Sequence, residues 1–258
     1  MAYISRNPFV QPAGIMRLGC LAAGTASVNS PPVSVSGAVY LQAQRLGFGP
    51  ELRAFRSLLR REYKRWIDAG CPSPPPDSVK TRIIETFLAS GPRIFIETGT
   101  LTGATLDRIA RLPGVFCYSI EIEARLFSRA KNVFRDRPNI ELILGDSALA
   151  LPPLLENLAE PALFWLDGHY SGGISGRGEC DTPIAAELDA ILAHPRKDHR
   201  ILIDDARLFD GTGGYPRLSE LLARFEDHSS YRASVSADII RITPRPPRTS
   251  STFPASQR

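Results

Sequence analysis

Through the first 48 residues, isolated apolar positions are scattered among Pro, Gly, Ser and Ala, and neither the helical nor the strand period persists. This stretch is expected to be irregular. From Pro50 to Ala69 the pattern changes. Leu52, Phe55, Leu58, Leu59, Tyr63 and Trp66 recur at spacings of three and four with arginine and lysine between them, which predicts an amphipathic helix. A solvated basic face over a packed apolar stripe is the preferred reading of that helix. The proline-rich run at 71–76 ends it, because proline has no amide donor, and a second helix is expected over 78–89.

From residue 93 onward, short β-branched and aromatic runs alternate with helical patterns. Strands are predicted at 93–97, 116–121, 140–144, 162–166 and 200–204, and helices at 103–111, 123–134, 147–158, 182–193 and 216–226. Such a succession of βα units predicts an α/β fold of three layers, with a mostly parallel sheet between two layers of helices. The runs 231–235 and 239–243 are joined too closely for a parallel crossover, so they are expected to form an antiparallel hairpin at the sheet edge. The chain then divides into an irregular segment (1–48), a helical extension (49–90), an α/β domain (91–243) and a disordered tail (244–258).

Composition narrows the class. With 43% hydrophobic and 22% charged residues the chain is globular, and no apolar run approaches the ~20 residues of a membrane-spanning helix, so no membrane partner is expected. The cysteines Cys20, Cys71, Cys117 and Cys180 form no CxxC pair, which disfavours a zinc ribbon or redox dithiol and fits a reducing cytoplasm. The net charge of +4 is uneven: residues 1–90 hold 11 Lys+Arg against 5 Asp+Glu, residues 91–240 hold 16 against 22, and residues 241–258 hold 4 against none. The basic excess lies outside the α/β segment, which is itself acidic.

Candidate chemistry gathers at the carboxyl ends of the predicted strands. The first ends in FIETGTLTG, placing Glu97, Thr98, Gly99 and Gly103 around a βα turn where glycine lets a backbone approach a ligand. An ordinary tight turn explains these residues equally well, and neither GxGxxG nor GxxxxGK[ST] is present. The second strand ends at Glu121, where a carboxylate can accept hydrogen bonds from both hydroxyls of a ribose. The third leads to Asp146 and Ser147, suited to an adenine amino group or to capping the next helix.

Taken together these residues resemble class I S-adenosylmethionine (SAM) dependent methyltransferases, over about 80–243. The resemblance implies a Rossmann-like methyltransferase fold ending in an antiparallel hairpin. It also implies that Glu97, Thr98, Gly99 and Gly103 hold the methionine part of SAM, Glu121 the ribose, and Asp146 with Ser147 the adenine end. Where many members carry a third glycine this chain has Leu101.

The fourth and fifth strands end in LDGHY and IDDAR, bringing Asp167, His169, Asp204 and Asp205 to neighbouring tips in the family's strand order. Three converging carboxylates repel one another unless protonated or bound to a cation, and oxygen ligands suit Mg²⁺. This is similar to the metal-dependent O-methyltransferases of the macrocin and catechol types, which implies a metal held by Asp167, Asp204 and Asp205. Asp167 and His169 are the candidate catalytic residues, His169 as general base or auxiliary ligand. Loop capping by the aspartates and a backbone-bonded histidine remain the plain alternatives. The glycine-rich run 171–183 could close over a substrate, and Tyr170 and Phe209 could line an apolar wall.

The expectation is therefore SAM-dependent O-methylation of a small-molecule acceptor. Nucleic-acid methylation is not favoured, since LDGHY is not the Asn/Asp-Pro-Pro-aromatic motif of base-amino methyltransferases. A non-catalytic SAM-binding protein of the same fold is a further alternative, and a homo-oligomer is compatible with the sequence.

Overall fold

The computed structural model describes residues 61–168 and 182–246, all within the unit Ser34–Arg258. Its first element, α1, is helical over 61–68: Trp66 is buried and donates its indole N–H to the Pro72 carbonyl (2.8 Å), while Arg61, Lys64 and Arg65 face solvent. The rest of the expected 50–69 helix lies outside the described residues. Cys71, unlike the buried free thiol Cys117, is disulfide-bonded, a state that reducing compartments disfavour.

Helix α2 (Asp77–Ala89) buries Val79, Ile83, Ile84 and Leu88 and contacts the sheet at β4. The following elements are β1 (Ile94–Thr98), α3 (Ala104–Ile109), β2 (Phe116–Glu121), α4 (Ala124–Val133), β3 (Ile140–Leu144), α5 (Ser147–Glu156), β4 (Ala162–Leu166), α6 (Ile184–Ala193) and β5 (Arg200–Ile203). After β5 come a short 3₁₀ turn, α7 (Leu218–Ala223), β6 (Tyr231–Ser236) and β7 (Ile239–Pro244).

The seven strands lie in the order β3-β2-β1-β4-β5-β7-β6, with β1 to β5 parallel and β7 antiparallel to both of its neighbours. Every residue of β4 is buried, as a strand covered on both faces requires, whereas the edge strands β3 and β6 are partly exposed. Ala237 and Asp238 both have φ near +55°, so the β6–β7 hairpin turns on two residues in the left-handed region, as a type I′ connection demands.

Pro244 closes β7, and the Arg245 guanidinium donates to the carbonyls of His228, Tyr231, Phe225 and Glu226, satisfying the ends of neighbouring segments. Phe209, expected in an apolar wall, is instead packed in the main core and stacked edge-on against Tyr215 at 5.1 Å.

Candidate active site

The parallel ladder continues one residue past the strands and sets the geometry of the site. Asp167 N donates to Thr98 O (3.2 Å) and Asp204 N to Leu166 O (3.1 Å), so the tips of β1, β4 and β5 advance in step. Glu97 and Thr98 lie within β1 rather than in the turn after it.

Glu97 is buried opposite Ser119 of β2, whose hydroxyl donates to Glu97 Oε2 at 2.8 Å, with Thr100 Oγ1 a further 2.7 Å beyond Ser119. Burial pushes the Glu97 carboxyl up to about 8; Asp167 and Glu121 add to the shift and the Ser119 hydrogen bond opposes it. Gly99 has φ +85°, and a Cβ there would come within 2.6 Å of the Asp167 carbonyl oxygen, so only glycine fits. Gly103 is similarly confined, by Phe134 at 2.7 Å. Leu101 adopts φ +48° although it is not glycine, and its N–H donates to Glu121 Oε2 at 2.8 Å.

Glu121 also accepts from Glu123 N at 2.9 Å, so each carboxylate oxygen has one backbone donor and one lone pair left for a ligand. Asp146 caps α5 by accepting from Ala148 N at 2.9 Å, and Ser147 is buried in the first turn. The structure thus brings Glu97, Thr98, Gly99, Glu121, Asp146 and Ser147 to one edge of the sheet, with Gly103 at the start of α3 beside them.

Sequence reasoning missed Glu187 of α6, which is fully buried under this edge. Burial pushes its carboxyl up to about 7, with Asp146 and Asp167 adding and the Ser147 and Thr98 hydroxyls opposing. Among the described residues, neither Glu187 Oε1 nor Thr98 Oγ1 completes a hydrogen bond. A Cβ on Gly168 would touch both atoms, at 3.5 and 3.2 Å.

Asp167, Asp204 and Asp205 converge so that one oxygen from each lies within 4.8 Å of the others. Asp205 has φ +54°, a left-handed turn that aspartate tolerates and that swings it beside Asp204. Its N–H donates to Asp204 Oδ1 at 2.9 Å. Two cations that sequence reasoning missed enter here: Lys80 of α2 puts Nζ 2.5 Å from Asp204 Oδ2 and 3.5 Å from Asp205 Oδ1, and Arg207 donates to Asp205 Oδ1 at 2.7 Å and also to Asp238. Burial, with Asp167 and Asp205 nearby, pushes Asp204 up to about 7 against the pull of Lys80. Burial alone would lower Lys80, yet the surrounding aspartates, Asp204 foremost, raise it.

The seven-stranded order with one reversed strand, carrying acids at these five tips, is the Rossmann-like α/β arrangement that the resemblance implies. No protein-family model and no curated protein matches the chain. Among solved structures it is similar to an O-methyltransferase from Bacillus cereus in complex with SAH, at 17% identity over 73% of this chain and 91% of that one, with a TM-score of 0.48. It is also similar to the O-methyltransferase TomG from Streptomyces achromogenes, in complex with SAM (16% identity, 72% and 88% coverage, TM-score 0.47). A third is the SAH-bound methyltransferase PaMTH1 from Podospora anserina (14%, 85% and 100%, TM-score 0.49).

Hard carboxylate oxygens this close suit a divalent cation, so the donor chemistry of Asp167, Asp204 and Asp205 fits a metal, although Lys80 already engages two of the three. Tyr215 lies near the same acids; burial, with Asp205 and Asp167 adding, pushes its phenol up to about 12, so it stays neutral. His169, Tyr170 and most of the glycine-rich run 171–183 lie outside the described residues. No helix among the described residues is long and apolar enough to cross a membrane.

Proposed function

We propose that the protein is a SAM-dependent methyltransferase that acts on a hydroxyl of a small molecule. The observation that carries this reading is the contact at Gly99: the turn bearing the cofactor candidates packs directly on the Asp167 carbonyl, so the proposed cofactor edge and the carboxylate centre adjoin. Methyl transfer needs two reactants held in line, and this juxtaposition suits that requirement.

In this reading Glu121 accepts the ribose hydroxyls through its remaining lone pairs. Asp146 and Ser147 meet the adenine end, and Glu97 with Thr98 lies under the methionine end, where an ionised Glu97 attracts the ligand's ammonium. Gly99 and Gly103 keep side chains out of the path. SAM, when bound, supplies a methyl group on a sulfonium: the bond from the acceptor oxygen to the methyl carbon forms as the sulfur–carbon bond breaks. A divalent ion such as Mg²⁺, held by Asp167, Asp204 and Asp205, would supply a Lewis acid that acidifies the acceptor hydroxyl. His169 is the proposed acceptor of the hydroxyl proton, and Tyr215 the proposed wall.

Calorimetric titration of the full chain with SAM and with NAD tests the cofactor. Binding of SAM alone is expected; NAD binding in its place would end this reading. For the metal, EDTA and Asp205→Ala should each slow methylation of an identified acceptor by tenfold or more, on the order of an electrostatic catalytic contribution. An undiminished rate in both would remove the metal from the proposal.

A further inference from the structure

The carboxylate centre contains a cation of its own. Lys80 projects from α2, a helix fixed by the burial of Val79, Thr81, Ile83 and Ile84 on either side of it, and its side chain is only 18% exposed. Nζ lies against Asp204 Oδ2 and within reach of Asp205 Oδ1. Those are two of the three groups that could hold a metal. The other oxygen of Asp204 is taken by the Asp205 amide, and Oδ1 of Asp205 is shared with Arg207. Arg207 is a poorer candidate for the same role, because it is also tied to Asp238, is more exposed, and touches only Asp205 of the three.

An ammonium and a divalent ion compete for the same carboxylate oxygens: like charges at such distances repel strongly, and most so where water is excluded. The stem of lysine is flexible and its head is well hydrated, so it can leave a site that a fixed guanidinium would block. We propose that Lys80 is a resident cation of the Asp167–Asp204–Asp205 centre, and that a divalent ion enters by displacing the Lys80 ammonium from Asp204 and Asp205. The inference rests on the metal reading of that centre but not on the identity of the methyl acceptor. It makes Lys80 a residue that sets metal affinity, and it makes occupancy of the centre an exchange of one cation for another.

Binding of Mn²⁺ to the full chain, followed by electron paramagnetic resonance without SAM or acceptor, tests it. Lys80→Met and Lys80→Gln, the latter keeping a donor toward Asp204, should each bind Mn²⁺ at least roughly tenfold more tightly than the unaltered chain, while Lys80→Arg should not. In the unaltered chain, Mg²⁺ should accelerate acetylation of Lys80 by an N-hydroxysuccinimide ester, read by peptide mass spectrometry, since the displaced amine becomes accessible. Equal Mn²⁺ affinity in all four proteins, or labelling of Lys80 that Mg²⁺ leaves unchanged, overturns the exchange while leaving a metal site standing. No Mn²⁺ binding by any of them overturns both.

Discussion

The Ser119 hydroxyl lies 2.8 Å from Glu97 Oε2, joining β2 to β1 beneath the proposed methionine end of the cofactor. This hydrogen bond opposes the effect of burial on the carboxyl, which is nonetheless pushed up to about 8. Near neutral pH Glu97 is therefore mostly protonated, and a ligand ammonium beside it must drive off the proton. SAM affinity is expected to rise by up to about tenfold per pH unit below 8 and then level off. Calorimetry in buffers of different ionisation enthalpy should show proton release at pH 7. Ser119→Ala should move the rise to higher pH, and Glu97→Gln should abolish it; a flat profile for the unaltered chain would separate Glu97 from cofactor binding.

Gly99 offers a steric test. Alanine there meets the Asp167 carbonyl at 2.6 Å and must also hold φ +85°. Gly99→Ala is expected to destabilise the fold by about 1–3 kcal/mol and to weaken SAM binding more than that loss accounts for. Denaturant melts and calorimetry on the same preparation separate the two effects.

Leu101 predicts a gain. It holds φ +48°, where a side chain is crowded, and is 43% exposed, so only part of its packing is lost on removing it. Leu101→Gly should stabilise the protein by up to about 1 kcal/mol, since the strain relieved exceeds the added freedom of the unfolded chain. A midpoint shift toward higher urea concentration is the expected reading, and an unchanged or lower midpoint would mean that the turn carries no such strain.

His199 sets the acid limit from the opposite end of β5. It is fully buried, accepts from Ala162 N at 3.1 Å, contacts His194 at 2.8 Å, and burial drives its imidazole down to about 4. The folded state thus binds this proton less tightly than the unfolded chain does. Its contribution to stability is complete above the ordinary histidine range and is lost as pH falls from about 6.5 to about 4, on the order of a few kcal/mol. His199→Gln should be less stable at pH 7 and should lose less on acidification. Glu97 and Glu187 act with the reverse sign: with folded values above the ordinary one, they favour the fold at low pH and cost stability as pH rises toward 7 and 8.

What could be read in advance follows from how local each signal is. Strands β2, β3 and β4 begin and end where their apolar runs do, because turn residues bound each run. The strand-tip acids were visible for the same reason: the position after a buried run is where the chain leaves the sheet. Lys80 was not, since its partner Asp204 is 124 residues away and nothing near Lys80 distinguishes it from any charged position on an amphipathic helix. Glu187 hid likewise in the polar spacing of α6. Phe209 was misplaced because an aromatic ring near a site can face a ligand or the core, and only the path of the chain after β5 decides between them.

That separation between Lys80 and Asp204 has a consequence for biosynthesis. The amine leaves the ribosome before the first strand is made, and the acids it neutralises follow only after four more strands. The centre therefore closes late, and a shortened chain beginning at β1 would retain all its strand-tip acids while lacking the partner that Asp204 meets at 2.5 Å. Such a fragment should be soundest in mild acid, where those carboxyls can carry their own protons.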